Sequence, residues 1–395
     1  MHISPVTAEA VLSATACDYP KAKSIGLCMI VKNESEVILD CLRSVRPLVD
    51  YILVQDTGST DGTQDLIREY LRGENIRGEV REEPWVDFAH NRSLALAQLR
   101  QRRDLDFALV IDADETMVYD DNFDADAFRA SLTEDLYYIK IRLGSIEYYR
   151  PQLFRNDLAF KYRGVIHEFV EGPPEGYANG TATGFYTHSG RGGARGKNPR
   201  KYEDDAAVLG EVLKKETDPF LISRYTFYLA QSYQDSGAPE KALQSYLERV
   251  ELGFWDQEIF VSLYHAARLK EQLGYPGPEI IGTYLSAYEV CPNRAESLHG
   301  AMRYCRLHGK HHQGYLLGKR AISMACPSTG LFLHSWIYDY GALDEFSILA
   351  YWSGHYQDSL EACLRLLREN KLPHQDRARV DKNAAFARTK LADVA

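Results

Sequence analysis

The stretch LVIDADETMV, residues 109–118, runs an apolar segment straight into Asp112, Asp114 and Glu115. Leu109, Val110 and Ile111 read as a strand buried on both faces, which shows in sequence as a continuous apolar run. Three carboxylates within four residues repel one another, and burying them without partners is costly. A divalent cation or a tight hydrogen-bond network is therefore expected at the end of this strand. The preceding sequence repeats the design. SIGLCMIV (24–31) leads into the polar KNES, and DYILVQD (50–56) ends at Asp56 before TGSTDGTQDLIREYLRG. In that segment Gly58 and Gly62 permit a tight turn, and Ser59 to Asp61 offer helix caps. RGEVREEPW supplies a third short strand and DFAHNRSLALAQLRQRR a helix. Strands alternating with helices predict a Rossmann-like α/β unit with a mostly parallel sheet. Ligands of such sheets sit outside the carboxyl ends of the strands. Asp56, Asp112 and Asp114 all fall at such ends.

The chain has 395 residues, room for two domains with separate cores. Its 45% apolar and 26% charged content is that of a soluble globular protein. No run approaches the roughly 20 apolar residues of a membrane span. The first twenty residues lack the basic start and apolar centre of a secretory signal, so a cytoplasmic location is expected. Residues 1–23 read as an N-terminal extension. Seven cysteines are scattered without a CxxC pair, which points to reduced thiols. Cys28 and Cys41, in apolar contexts, read as core residues. The net charge of -10 argues against a general nucleic-acid binder. One local exception is the glycine-rich RGGARGKNPRK (191–201), with five basic side chains suited to a phosphate-bearing ligand.

Beyond residue 198 the pattern is helical only. A small-and-aromatic helix, a break at Gly237-Ala238-Pro239 and an amphipathic helix form one unit, and similar breaks recur at Gly274, Gly309 and Gly354. Their spacing of roughly 35 to 45 residues predicts a tetratricopeptide-like array of helix pairs. Such arrays present concave surfaces to extended partners. The domains expected are therefore an α/β unit over 24–197 and an all-α repeat unit over 198–395. The aromatic residues of the repeats read as core, and the adjacent His311 and His312 as a solvated turn.

CMIVKNES, YILVQDTGSTDGT and FALVIDADE, in this order, resemble the nucleotide-binding half of family 2 glycosyltransferases, which have the GT-A fold. YRGVIHEFV (162–170) and YTHSG (186–190) are similar to the His-Glu and later His of a branch whose members often carry a tetratricopeptide-like tail. The resemblance implies a nucleoside-diphosphate sugar donor, most readily UDP-linked, and a Mn²⁺ or Mg²⁺ cofactor. It implies that Asp112 contacts the ribose and metal, that Asp114 binds the metal, and that His188 is a third ligand. Asp56 would hydrogen-bond the base, with an Asx turn as the ordinary alternative. Asn33 and Glu34 would border the donor pocket. Arg92 would reach the donor or pair with the Asp112 cluster. Glu168 is the candidate general base of an inverting transfer, against a plain Glu–Arg pair with Arg163. His167 would shape the acceptor pocket, and Arg195, Lys197 and Lys201 belong to a loop expected to close over the diphosphate.

The expected activity is an inverting, metal-dependent hexosyl transfer from a UDP-sugar to a peptide or protein held by the repeats. A lipid-linked or surface glycan is the second acceptor class, and a non-catalytic scaffold the alternative of a different kind. A nucleotidyltransferase is disfavoured, because VKNES is no basic phosphate loop. The sequence is compatible with a homo-oligomer.

Overall fold

In the computed structural model, residues 22–144, 146–190 and 192–394 are described. The expected N-terminal extension lies outside them, apart from its last two residues, as does Arg191 of the glycine-rich loop. The chain divides between Pro199 and Arg200 into two compact units.

The first unit opens with β1 (Ile25–Val31), α1 (Ile38–Val45), β2 (Tyr51–Asp56), α2 (Thr63–Gly73), β3 (Arg77–Glu82), α3 (Phe88–Leu99) and β4 (Phe107–Val110). It continues with β5 (Glu115–Tyr119), α4 (Ala125–Ala130), β6 (Leu136–Leu143), β7 (Ile146–Arg155), β8 (Lys161–Arg163), β9 (Phe169–Glu171), β10 (Asn179–Thr181) and β11 (Phe185–Ser189). The main sheet runs β3-β2-β1-β4-β7-β6-β11-β5, with β10 on β6, while β8 and β9 form a separate antiparallel pair. The first four strands are parallel, as the strand–helix alternation predicts. From β4 onward antiparallel pairs enter: β4–β7, β6–β7 and β5–β11. Of these, β6 and β7 follow one another directly as a hairpin, while β4–β7 and β5–β11 are longer-range antiparallel pairs.

Burial follows the strand alternation. Leu27, Met29, Ile52, Val54, Phe107 and Leu109 pack on the face covered by α1 and α2. Cys28, Leu53, Ala108 and Val110 pack on the other face with Ala95, Leu96 and Leu99 of α3. Burial pushes the Cys28 thiol up to about 12, so it acts as a small apolar residue. β4 stops at Val110, and the carboxylates stand on the turn beyond it.

The second unit consists of α5 (Lys201–Leu213), α6 (Pro219–Asp235), α7 (Pro239–Glu251), α8 (Asp256–Gln272), α9 (Gly277–Val290), α10 (Glu296–Leu307), α11 (His311–Ala321), α12 (Ala342–Trp352), α13 (Tyr356–Glu369) and α14 (Arg377–Val394). Helices α6, α8, α10 and α12 end alike. Gly237, Gly274, Gly309 and Gly354 have φ of +77°, +73°, +69° and +84°. The amides of Ala238, Tyr275, Lys310 and His355 each donate to the carbonyl five residues back, at 2.8 to 3.0 Å. This is one left-handed helix stop used four times, and it turns each helix back on the next as an antiparallel pair. Arg249 is wholly buried here, donating to Glu258 at 2.9 and 3.2 Å and to the Gly253 carbonyl at 2.8 Å. No helix among the described residues is long and apolar enough to cross a membrane.

Truncating Arg249 strands Glu258 in the interior, with Arg224 at 3.6 Å as its remaining cation. The variant Arg249→Ala is expected to lose about 3–5 kcal/mol, read as an earlier urea transition of the helical unit by circular dichroism. An unchanged midpoint would show that the pair adds nothing.

Candidate functional site

The loops at the carboxyl ends of β1 and β2 are stitched to each other. Asn33, at φ +57°, turns the chain out of β1. Its amide donates to Ser59 Oγ at 2.8 Å, and its side-chain oxygen accepts from the Thr60 amide at 2.8 Å. The Glu34 amide donates to Thr63 Oγ1 and the Ser35 amide to Asp61 Oδ2. Asp61 Oδ1 also accepts from the amide and hydroxyl of Thr63, the first residue of α2. Asn33, expected to border the donor, therefore spends its side-chain oxygen on holding this loop.

Asp56 ends β2 with no solvent exposure. Its Oδ1 accepts from the amides of Gly58 (2.9 Å) and Ser59 (2.8 Å) and from Gln64 Nε2 (2.7 Å). Burial opposes its ionisation, but the hydrogen bonds from Ser59, Gln64 and Gly58 outweigh it and hold its pKa below the ordinary value. Oδ2 is buried with no hydrogen-bond partner among the described residues. Asx-turn bonding and an open acceptor thus coexist on one carboxylate.

Arg92 comes from the second turn of α3, whose N-terminus is capped by Asp87 accepting from the His90 amide at 2.7 Å. Its guanidinium pairs with Asp112 and, at 2.7 Å, with Glu168. The side chain is only 11% exposed, and the Tyr162 ring lies 5.7 Å from it. A second arginine, Arg150 on β7, contacts Asp112 at 3.5 Å and pairs with Glu115. The result is a chain of alternating charges: Glu168, Arg92, Asp112, Arg150, Glu115. Burial opposes ionisation of Asp112, yet Arg92 and then Arg150 keep it ionised below the ordinary range.

Asp114 stands differently. Its carboxylate accepts one bond, from the Gly193 amide at 3.3 Å. Burial and then the Asp112 charge raise its pKa. Glu34 shares this condition. It accepts from the Ala194 amide at 3.2 and 3.3 Å, and burial with the charges of Asp114, Asp61 and Asp112 lifts its pKa to about 7 against that bond. The glycine-rich loop thus lies on the carboxylates through backbone amides. Close approach needs glycine: a Cβ at Gly193 would sit 2.9 Å from Asp114 Oδ2, and one at Gly190 2.4 Å from the Asp114 carbonyl oxygen. In the same loop Arg195 stacks on Phe88 at 4.6 Å, and Lys197 pairs with Glu36 at 2.6 Å. Lys201 opens α5 in the second unit, 5.4 Å from the Tyr202 ring.

The remaining expectations divide. Glu168 meets Arg92, while Arg163 takes Glu171 at 3.4 Å instead. His167 is exposed at φ +53° beside it. His188 stands on β11. In β11 it pairs with Thr116 and Arg142, whereas its neighbour Thr187 is buried against Gln152. Alternation sends the two to opposite faces. Glu115, in register with Ser189, lies on the Thr187 face with Arg150. His188 therefore points away from the carboxylate cluster, and among the described residues no three His, Cys, Asp or Glu side chains gather as a metal site. Arg150 is the residue sequence reasoning missed. Its only signal was a lone cation in the aromatic strand EYYRPQLF.

A divalent cation fits this site at Asp114, on the geometry. The glycine-rich loop holds both the Asp114 carboxylate and that of Glu34 through the consecutive amides of Gly193 and Ala194, and the Asp114 charge adds to the cost of ionising Glu34. An all-oxygen donor set suits Mg²⁺ or Mn²⁺.

Residues 27–121 match the family model for Glycosyl transferase family 2. The α/β unit thus carries a match to this family over its first four strands and the carboxylate turn, and an all-helical unit of antiparallel pairs follows it. Among curated relatives, a TPR repeat-containing protein of Synechococcus elongatus is 31% identical over 158 residues, 37% of this chain and 35% of that protein. An uncharacterised glycosyltransferase of Rickettsia bellii is 28% identical over 135 residues, 33% of this chain and 42% of that protein. The matches thus span less than half the length of both relatives. Among solved structures, TarS 1–349 of S. aureus in complex with UDP-GlcNAc overlaps 67% of this chain and 90% of its own, at 13% identity and TM-score 0.34.

Glu34 gives a pH test. Its folded-state pKa is raised, so its favourable contribution is full below about 4.5 and is lost as pH rises through about 7. Glu34→Gln keeps an acceptor for Ala194 and removes the charge. In EDTA the variant is expected to melt a few degrees above wild type at pH 8 and level with it near pH 5. That corresponds to on the order of 1 kcal/mol after solvent screening. Parallel melting curves across that range would refute the burial of a strained carboxylate.

Proposed function

We propose that the protein is an inverting, metal-dependent glycosyltransferase. It moves a hexose from a nucleoside-diphosphate sugar, UDP-linked by preference, to a peptide or protein bound by the helical unit. The observation that carries this reading is the pair of acceptors at the carboxyl ends of β2 and β4, the two strands that flank β1. Asp56 keeps a buried oxygen without a donor among the described residues, and Asp114, held by the Gly193 amide at 3.3 Å, has its pKa raised by burial and the Asp112 charge. A nucleobase imide N–H would satisfy the first. A divalent cation on Asp114, with Asp112 beside it, would neutralise the departing diphosphate.

The residues then divide the work. Asp56 fixes the base, and the turn carrying Asp112 holds the ribose. Arg92 and Arg150 keep Asp112 ionised and fixed in direction. The acceptor's hydroxyl or thiol attacks the anomeric carbon, the bond from that carbon to the diphosphate oxygen breaks, and Glu168 takes the acceptor's proton. Glu168 Oε1 is held by Arg92, which leaves Oε2 to receive it. Arg195 and Lys197 lie on the loop that would cover the diphosphate. The choice of a polypeptide acceptor rests on the concave surface that helix-pair arrays offer to extended chains.

Two measurements test this. Calorimetric titration with UDP, GDP and CDP sugars, with and without Mn²⁺, is expected to give tight binding of one nucleotide. That binding should need the metal and fall at least tenfold in Asp114→Asn. Folded protein that binds none of them would refute the enzyme reading. For the base, Glu168→Gln is expected to retain donor binding while transfer, or slow hydrolysis of the donor in its place, falls roughly 10²- to 10⁴-fold. Unchanged turnover would remove Glu168 from that role.

A further inference from the structure

Beyond Arg150, β7 carries an aromatic ring that no step above uses. β7 runs antiparallel to β4, with Leu109 opposite Leu153. Lower-numbered residues of β7 therefore project past the carboxyl end of β4, and Arg150 already reaches Asp112 and Glu115 there. Tyr148 lies two residues farther out, about 7 Å along the strand. Its facing is set by the pairing with β6, where Arg150 is opposite Ile139 and Tyr148 opposite Ile141, both wholly buried on one face. Tyr148 and Arg150 thus share a face, while Tyr149, opposite Lys140, takes the other. The Tyr148 hydroxyl feels the charges of Arg150, Glu115 and Asp112, yet the residue remains 40% exposed. An aromatic ring beside three charged groups and two-fifths exposed to water is not packing a core.

The strand order says what would cover it. Asp56 ends β2, the carboxylate turn follows β4, and β7 is the next strand beyond β4. From β2 to β7 is three strand spacings, about 14 Å, comparable with an extended nucleoside diphosphate. A donor with its base at Asp56 and its diphosphate at Asp114 brings its sugar next to β7.

We infer that Tyr148 is the platform for the donor's hexose, stacking its ring on the C–H face of the pyranose and so setting which sugar is accepted. This rests on the donor reading above. Stacking of this kind needs the ring and not the hydroxyl, and it acts on the sugar and not on the nucleotide.

The experiment compares each free nucleotide with its own sugar: UDP with UDP-glucose and UDP-N-acetylglucosamine, and GDP with GDP-mannose. Titrations use the full chain in Mn²⁺, as wild type, Tyr148→Ala, Tyr148→Phe and Tyr149→Ala. In Tyr148→Ala the free nucleotide is expected to bind within twofold of wild type, which also shows that the site is folded. The preferred nucleotide sugar should weaken about tenfold, while Tyr148→Phe and Tyr149→Ala stay at wild-type affinity for both. Equal weakening of nucleotide and sugar nucleotide, or no weakening of either, overturns the platform while leaving the donor reading intact. Wild type that binds no nucleotide overturns both.

Discussion

Arg92 lies buried between Asp112, on the turn after β4 of the main sheet, and Glu168, between the strands of the separate β8–β9 pair. A guanidinium is the group for this position. It stays charged at any relevant pH, and its planar fork can address two carboxylates at once. Taking three charges out of water is expensive, and the geometry repays this only while all three remain. Removing Arg92 leaves Glu168 without this partner and Asp112 with Arg150 at 3.5 Å. The turn after β4, the segment after β8 and the first turns of α3 are therefore held to one another by electrostatics as much as by packing. Arg150 extends the same constraint to Glu115 and β7.

One consequence is that the two aspartates of the turn become chemically distinct. Asp112 is surrounded by arginine and stays ionised. Asp114, two residues on, meets one backbone amide and the repulsion of its neighbour. Identical side chains are pushed in opposite directions by their surroundings, the pattern that separates roles within acid clusters. The glycine-rich loop completes this arrangement. Glycine at 190 and 193 lets the backbone approach Asp114, and the amides of Gly193 and Ala194 then donate to Asp114 and Glu34.

The helical unit obeys a simpler rule. Each pair is closed by the same glycine stop, and the wide interval between Gly309 and Gly354 accommodates the segment joining α11 to α12. Its buried ion pairs, Arg249 with Glu258 and Arg294 with Glu296, pin loops and helix starts rather than forming part of a reactive site.

The sequence by itself determined what is local. Apolar runs, glycine positions and turn chemistry act over a few residues, so the parallel half of the sheet, the helix pairs and the carboxylates beyond β4 were legible in the order of residues. The double use of Asp56, as turn anchor and open acceptor, was half legible, because the turn is local and the orphaned oxygen is not. Only the tertiary structure decided the rest. Arg92 and Glu168 are 76 residues apart, and nothing in either segment says that they meet. Arg150 and Tyr148 enter the site because β7 pairs antiparallel with β4, a strand order that no local pattern encodes. His188 leaves it for the same kind of reason. In a strand one residue's shift of register reverses the face a side chain presents, and register is a property of the whole sheet.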